Sequence, residues 1–220
     1  MPDFEEERRQ MVERYRRSGY IVTDKIVQAM LKVPRELFMD DNYVNSAYQD
    51  QPFPIPGDGL QTISAPYMYP ICYEQLEIEQ GDSFLEVGAG SGYGAALAYE
   101  LVGSTGQVIA VEINPNTFHF AKSNLESAGY RDIILVNDDG YRGYPEEAPF
   151  DAICITAACP EIPPPLIEQL NSPGRLVAPV GGTSIFGQDL ILLEKDEKGF
   201  IKRKSLMKVA YVPMTREHRR

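Results

Sequence analysis

The chain has 220 residues, and its 32 acidic and 21 basic side chains give a formal net charge of −11. This length allows one domain with a substantial core, and a hydrophobic content of 43% is typical of an ordinary globular protein. An acidic surface repels phosphate backbones, so we expect no nucleic-acid partner. The basic residues within 8–17 and 216–220 are interpreted as solvated ends.

The N-terminal sequence and the cysteines bear on where the protein works. The first ten residues are too charged for a signal peptide, and no apolar run approaches the roughly 20 residues that span a bilayer. Cys72, Cys154 and Cys159 lack metal-ligand spacing and predict buried, reduced thiols. We therefore expect a soluble cytoplasmic protein with no metal site and no membrane partner.

The first half of the chain predicts helices separated by a long loop. A charged surface helix is expected over 5–17, and a second helix is expected from Thr23 until Pro34 disturbs it. Residues 40–62 are rich in turn formers, and a loop this long in a compact domain usually has a function. A further helix is predicted over 64–77.

From residue 83 onward, short apolar runs alternate with helix-length stretches. The runs predict five strands, at 83–87, 107–112, 133–136, 151–155 and 175–180. Such alternation indicates a mainly parallel sheet with helices on both faces. A helix over 117–128, closed by Gly129, is one of the connections.

The C-terminal end departs from this rhythm. A run at 190–193, a turn at 196–199 and a second run at 207–212 predict antiparallel pairing at one edge of the sheet. The predicted fold class is therefore α/β, doubly wound and Rossmann-like, with a mostly parallel sheet, antiparallel C-terminal edge strands and N-terminal helices. We expect one domain over 1–220.

That single domain has two parts. Residues 1–80 hold the N-terminal helices and the loop region, and residues 81–220 form the α/β core.

A glycine-rich loop follows the first predicted strand. Gly88, Gly90 and Gly92 alternate there, which lets the backbone approach a ligand closely. A dinucleotide site would place its third glycine at position 93, which is Tyr93. Glu86 precedes the loop and would crowd a pyrophosphate, whereas it suits a ligand with a positive charge. The loop therefore favours S-adenosyl-L-methionine over NAD.

Acidic residues follow the next two strands. Glu112 ends the second strand, where a carboxylate can accept hydrogen bonds from ribose hydroxyls. Asp139 follows the third strand and is placed to accept a hydrogen bond from an adenine amino group. Taken alone, Glu112 would more often be a surface acid, and the segment 138–140 would more often be a turn. At the carboxyl ends of successive strands, beside the glycine loop, they predict a nucleotide-type cofactor.

Several segments in order carry a resemblance to the protein-L-isoaspartate O-methyltransferase family, which extends from about residue 22 to residue 215. The matching segments are 30–38, 61–66, 85–93, 148–153, 156–158, 174–177 and 211–215. The segment 61–66, Gln-Thr-Ile-Ser-Ala-Pro, distinguishes this family from other methyltransferases. Position 67 is usually histidine in the family and is Tyr67 here, position 138 is often glycine and is Asp138 here, and 53–59 follows the family's loop loosely.

The resemblance implies a methyl transfer from S-adenosyl-L-methionine to the carboxylate of L-isoaspartyl residues in damaged proteins or peptides. It also implies that Ser64 is the catalytic residue, and that the methyl ester starts repair through a succinimide. The expected partners are isoaspartyl peptides and unfolded protein segments. Loop, acids and resemblance together predict these cofactor-binding residues: Thr62, Ile63, Ser64, Tyr67, Glu86, Gly88, Gly90, Gly92, Glu112, Asp138, Asp139 and Thr215.

The two histidines, His119 and His218, stand mid-helix and in the basic tail, and neither is expected to be catalytic. A carboxylate nucleophile needs no general base, because it is already ionised at neutral pH. Two other functions stay open. One is a related O-methyltransferase that acts on an aspartate of a specific modified peptide, and the other is a non-catalytic cofactor-binding module.

Overall fold

The structure is a computed structural model that describes residues 2–182 and 187–216. Its strands are β1 (Phe53–Pro54), β2 (Thr62–Ile63), β3 (Ser83–Val87), β4 (Gln107–Val111), β5 (Ile134–Val136), β6 (Phe150–Ile155), β7 (Leu170–Val180), β8 (Gln188–Lys195) and β9 (Ile201–Val209). Its α-helices are α1 (Phe4–Ser18), α2 (Asp24–Lys32), α3 (Met68–Leu76), α4 (Tyr93–Val102), α5 (Pro115–Ala128) and α6 (Pro164–Glu168).

Seven strands form one sheet in the order β5-β4-β3-β6-β7-β8-β9. The strands from β5 to β7 pair in parallel, and β8 and β9 pair antiparallel to their neighbours. The predicted mostly parallel sheet with antiparallel C-terminal strands is therefore confirmed. The first strand of the sheet, β3, lies between β4 and β6, so the strand order changes direction there. Open α/β sheets bind ligands at the carboxyl ends of strands beside such a switch point.

The sheet is buried on both faces, as its uninterrupted apolar runs predict. Phe84 of β3 packs into a core shared with α1 to α5, whereas its neighbour Leu85 packs into a second core with Leu166 of α6. All three side chains have no exposed surface. Because both faces are covered, the strand ends are the places where side chains of the parallel strands can meet a ligand.

The helix predicted over 64–77 is shorter in the structure. It begins at Met68, with Tyr67 at its N-cap position, and Ser64 lies in the non-helical segment that follows β2. Pro66 explains the difference, since proline disfavours helical backbone in the residue before it. The side chain of Ser64 therefore does not cap this helix.

The loop and the edge strand also differ from the predictions. The stretch 40–62, predicted as a loop, includes β1, which pairs antiparallel with β2 so that Phe53 lies opposite Ile63 and Pro54 opposite Thr62. The edge strand predicted over 207–212 instead spans Ile201–Val209. Residues 202–204 in its first half are all charged, so the sequence shows no apolar alternation there. A strand at an exposed edge does not need such alternation, because it does not pack against a core.

The thiols of Cys72, Cys154 and Cys159 are buried and free, as predicted. In the described ranges no helix has both the length and the apolar character that a membrane span requires. The same residues contain no group of His, Cys, Asp and Glu side chains that could hold a metal ion.

Arg35 connects the N-terminal region to the segment that carries Ser64. Its side chain is fully buried, and its Nε and Nη2 atoms donate hydrogen bonds of 2.8 Å to the carbonyl oxygens of Ala47 and Ser64. The guanidinium also lies 5.1 Å from the ring centre of Tyr93. These contacts compensate the buried charge in part, since Nη1 has no hydrogen-bond partner among the described residues. Arg35 therefore holds the backbone of Ser64 in place.

The substitution Arg35→Met tests this connection. It removes two charge-assisted hydrogen bonds and leaves two buried carbonyl oxygens without their donor. We expect the free energy of unfolding in urea to fall by about 2–4 kcal/mol. Arg131→Met, at an exposed position after α5, is the matched control and should change it by less than about 0.5 kcal/mol. Equal stabilities of the two variants would show that Arg35 does not fix this region.

Candidate active site

A cleft opens at the carboxyl ends of β3, β4 and β6, where the topology predicts a ligand site. Residues 60–64 and 212–215 form its other walls, and it encloses about 860 Å³ including its mouth. Eight of the predicted site residues line the cleft: Thr62, Ile63, Ser64, Glu86, Gly88, Gly90, Glu112 and Thr215.

The glycine loop forms the floor of the cleft. The amide nitrogens of Gly88 and Ala89 donate hydrogen bonds to the carbonyl oxygen of Val111, which fixes the loop across the ends of β3 and β4. Gly88 has a φ of +96°, and a Cβ atom there would lie 2.5 Å from Oγ1 of Thr156. The loop therefore follows this path only with glycine at position 88.

Gly92 has a different place from the one predicted. It takes the N-cap position of α4 with a φ of +86°, and a Cβ atom there would lie 3.0 Å from Cγ of Leu125 in α5. It does not line the cleft. Its small size instead allows α4 to pack closely against α5.

Glu86 is the most strongly perturbed acid of the cleft. It is 1% exposed, and its Oε2 atom has no hydrogen-bond partner among the described residues. Burial raises the pKa of this carboxyl well above its usual value, the backbone N–H of Ala95 lowers it, and the charge of Glu112 raises it further. An unpartnered buried acceptor is costly unless a ligand supplies a donor or a positive charge. Glu86 therefore fits a cationic ligand group.

Glu112 is held rigidly just after β4. Its Oε2 atom accepts a 3.0 Å hydrogen bond from the amide of Gly90, and its Oε1 atom accepts one of the same length from the amide of Asn114. Burial raises the pKa of this carboxyl, against the opposing effect of these amides. Each oxygen keeps acceptor capacity, so the carboxylate can receive hydrogen bonds from ligand hydroxyls.

Asp138 and Asp139 are not brought into the cleft lining. Asp138 is exposed, with Oδ1 3.8 Å from Nη1 of Arg142. Asp139 is 4% exposed, and its Oδ1 atom accepts a hydrogen bond from the amide of Tyr141. Its side chain closes a turn, and the next residue, Gly140, lines the cleft in its place. A turn was the alternative that the sequence left open for this segment.

A groove adjoins the cleft on the side of α3. Ala65, Tyr67 and Met68 line one side of this groove, and residues 207–212 line the other. Tyr67, predicted as a cofactor contact, lies here and not in the cleft, and its ring centre is 5.7 Å from that of Tyr20. Ser64 lines both the cleft and the groove.

Sequence reasoning missed two residues that shape the cleft. Thr156, which follows β6, lines both the cleft and the groove, and its hydroxyl donates a 3.0 Å hydrogen bond to the carbonyl oxygen of Val87. The sequence signal that could have identified Thr156 was its position directly after a parallel strand. Arg35 acts through the backbone of Ser64, and only its position in a family-like segment could have singled it out.

The C-terminal wall of the cleft is fixed by backbone hydrogen bonds. The amide of Ala158 donates to the carbonyl oxygen of Val212, and the amide of Met214 donates to the carbonyl oxygen of Ala158, both at 2.8 Å. These bonds place Thr215, one of the predicted cofactor-binding residues, in the lining of the cleft. Of the predicted non-catalytic histidines, His119 is exposed on α5, and His218 lies outside the described residues.

The charge of the cleft restricts its ligand. Its described lining contains the acids Glu86 and Glu112 and no lysine, arginine or histidine. An anionic pyrophosphate would meet two acids and no basic side chain there, whereas a positively charged group would favour the ionised carboxylates and be attracted. The cleft therefore disfavours a dinucleotide, in agreement with the argument from Tyr93.

Comparisons with known proteins agree with this architecture. The family model of protein-L-isoaspartate(D-aspartate) O-methyltransferases matches residues 6–219. Protein-L-isoaspartate O-methyltransferase 2 of Archaeoglobus fulgidus is 45% identical over 216 residues, which cover 98% of this chain and 96% of the relative. The protein-L-isoaspartate O-methyltransferase of Pyrococcus horikoshii is 44% identical over 207 residues, which cover 94% of this chain and 92% of the relative.

Solved structures extend the agreement to the fold. A protein-L-isoaspartate O-methyltransferase superposes with a TM-score of 0.85 and 29% identity, over 94% of this chain and 65% of that chain. A Plasmodium falciparum protein assigned to the same group, in complex with S-adenosyl-L-homocysteine, superposes with a TM-score of 0.82 and 24% identity, over 96% and 99% of the two chains. The chain belongs to the protein-L-isoaspartate(D-aspartate) O-methyltransferase family.

Proposed function

We propose that this protein transfers a methyl group from S-adenosyl-L-methionine to the carboxylate of L-isoaspartyl residues in damaged proteins or peptides. The observation that carries the proposal is the position of Ser64. Ser64 lines both the acid-lined cleft and the groove. A methyl donor in the cleft and a peptide carboxylate in the groove would meet at this residue.

The cleft residues fit S-adenosyl-L-methionine. The unpartnered Oε2 atom of Glu86 suits the positive end of this cofactor, and the fixed carboxylate of Glu112 suits its ribose hydroxyls. The close path of the loop at Gly88 and Gly90 suits a ligand that lies against backbone. When bound, the cofactor supplies a methyl group on a reactive sulfonium.

The protein's own residues then need to position and protect the substrate. An isoaspartyl carboxylate is ionised at neutral pH and can attack without a general base. We assign to Ser64 a hydrogen bond that its hydroxyl donates to one carboxylate oxygen, which leaves the other oxygen free to react. Arg35 acts as a positioning residue, because it holds the carbonyl of Ser64. Orientation of this kind can contribute about 7–11 kcal/mol to the lowering of a barrier.

The product would be a methyl ester, whose methoxy group leaves more readily than the oxygen of a free carboxylate. The nitrogen of the following backbone amide could then attack the ester carbonyl, lose its proton and expel methanol, which closes a succinimide; hydrolysis of the succinimide returns part of the material to normal aspartate. The proposed partners are therefore isoaspartyl peptides and unfolded protein segments, and we propose the cytoplasm as the site of repair.

The first experiment compares methyl transfer from labelled S-adenosyl-L-methionine to two peptides of one sequence. One peptide contains L-isoaspartate and the other contains aspartate. We expect label in the isoaspartyl peptide alone, because only its carboxylate has the backbone geometry that the proposed reaction repairs. Transfer to neither peptide, with cofactor binding intact in calorimetry, would refute the proposal. That result would favour the specialised peptide methyltransferase or the non-catalytic module.

The substitution Ser64→Ala tests the assigned catalytic residue. Loss of one oriented donor is expected to lower kcat for the isoaspartyl peptide by about 100-fold or more. The Kd for S-adenosyl-L-methionine should stay near its native value, because the acids and the glycine loop are unchanged. Ser123→Ala, at an exposed position of α5, is the matched control and should keep native turnover. A near-native kcat for Ser64→Ala would remove Ser64 from the mechanism.

The substitution Glu86→Gln tests the buried acid through pH. The folded protein holds the pKa of Glu86 above its unfolded value. The stability contributed by the protonated carboxyl is therefore complete below the unfolded pKa of about 4.3. It is lost as the pH rises through the folded pKa. Without cofactor, the variant should therefore lose less unfolding free energy than the native protein between about pH 5 and about pH 9.

The same variant should bind S-adenosyl-L-methionine about 10- to 100-fold more weakly, because a charged partner of the cofactor is lost. Glu126→Gln, at an exposed position of α5, serves as the control and should alter neither property. Parallel pH profiles of the native protein and Glu86→Gln, together with equal affinities, would contradict the role of Glu86.

A further inference from the structure

Strand β9 carries three consecutive cations, Lys202, Arg203 and Lys204, on a protein of net charge −11. All three side chains are exposed. Within the ranges that the structure describes, none of them forms an ion pair. Their positive charge is therefore available to another molecule.

The acids of the neighbouring strand β8 are already engaged. Glu194, opposite Lys202 in the register, lies 3.0 Å from the guanidinium of Arg175. Asp189 accepts hydrogen bonds from Lys208 at 2.7 Å and from Ser205 at 3.0 Å. In the turn before β9, Asp196 accepts hydrogen bonds from the amides of Lys198 and Phe200. These acids therefore do not neutralise the positive charge of residues 202–204.

The outer edge of β9 is open to an extended chain. The strand is the last of the sheet and pairs with β8 alone among the described strands. A second copy of this chain, paired antiparallel on that edge, would bring like charges together, which is unfavourable. An acidic extended segment would instead gain both backbone hydrogen bonds and charge attraction.

The edge is continuous with the groove. Met207 and Lys208, in the second half of β9, line the groove beside Ser64. At about 3.3 Å per residue, Lys204 lies roughly 10 Å and Lys202 roughly 17 Å along the strand from Met207. A peptide that has its reactive carboxylate at Ser64 and passes Met207 could therefore reach these cations with residues at least about three positions away. Lys202 and Lys204 lie on the same face of the strand as Met207, and Arg203 lies on the opposite face.

We propose that Lys202, Arg203 and Lys204 form a docking edge for an acidic, extended flank of the substrate. The protein then prefers isoaspartyl sites that have Asp or Glu residues about three to six positions away on one side. The inference rests on the proposed function, since it takes the groove to hold the isoaspartyl residue.

The test uses isoaspartyl peptides of one core sequence. Three glutamates, three glutamines or three lysines are placed four to six positions before the isoaspartate in one set and after it in another. We expect one of the two glutamate peptides to exceed its glutamine counterpart in kcat/KM by about 3- to 10-fold, through KM, as two or three exposed charge pairs allow. The preference should disappear at about 1 M salt.

Two triple variants of the full chain separate charge from folding. Replacement of Lys202, Arg203 and Lys204 by glutamine should bring the glutamate-to-glutamine ratio of kcat/KM to about one. Replacement by glutamate should make the lysine-flanked peptide the preferred one, a reversal that a mere loss of structure does not produce. Lys122→Glu, on α5 near the opposite edge of the sheet, should keep the native preference.

Binding of the same peptides, followed by fluorescence anisotropy, reports on the flank without methyl transfer. Equal affinities and equal kcat/KM values for the three flanks, or an acidic preference that survives in the glutamine variant, would overturn the proposal. Failure of every isoaspartyl peptide to be methylated while the acidic preference in binding persists would refute the proposed function and leave the docking edge standing.

Discussion

The hydrogen bond from the buried guanidinium of Arg35 to the carbonyl of Ser64 fixes the segment on which both ligand sites depend. That segment lines the cleft on one side and the groove on the other. A buried cation is stable only with acceptors around it, and here the acceptors are backbone carbonyls and the aromatic face of Tyr93. The same buried side chain therefore stabilises the N-terminal region and places Ser64.

The cleft and the edge strand carry opposite charges, and each favours a ligand of the other sign. The cleft presents Glu86 and Glu112, with no basic side chain in its described lining, and thus selects a cationic cofactor. The edge strand beside the groove presents cations without ion-pair partners in the described ranges, and thus favours acidic peptide flanks. A single acidic protein can attract both a sulfonium and an acidic segment, because each meets a different local field.

The proposed chemistry explains why the site contains so few reactive groups. A carboxylate nucleophile and a sulfonium donor need alignment and exclusion of water rather than acid or base catalysis. The structure supplies alignment mainly with backbone: the amides across the ends of β3 and β4, and the hydrogen bonds between Ala158 and the strand-like segment at Val212 and Met214. Ser64 is then the only side chain to which we assign a direct contact with the substrate carboxylate.

The sequence by itself determined the parallel strands, the glycine loop and the acids Glu86 and Glu112, because strand periodicity and the residues at strand ends are local properties of the chain. Only the tertiary structure decided the rest. It moved Tyr67 from the predicted cofactor contacts to the groove, committed the side chain of Asp139 to a turn, and gave Arg35 its role. Each of these outcomes depends on which groups meet in space, through contacts and competing hydrogen bonds that no periodicity records.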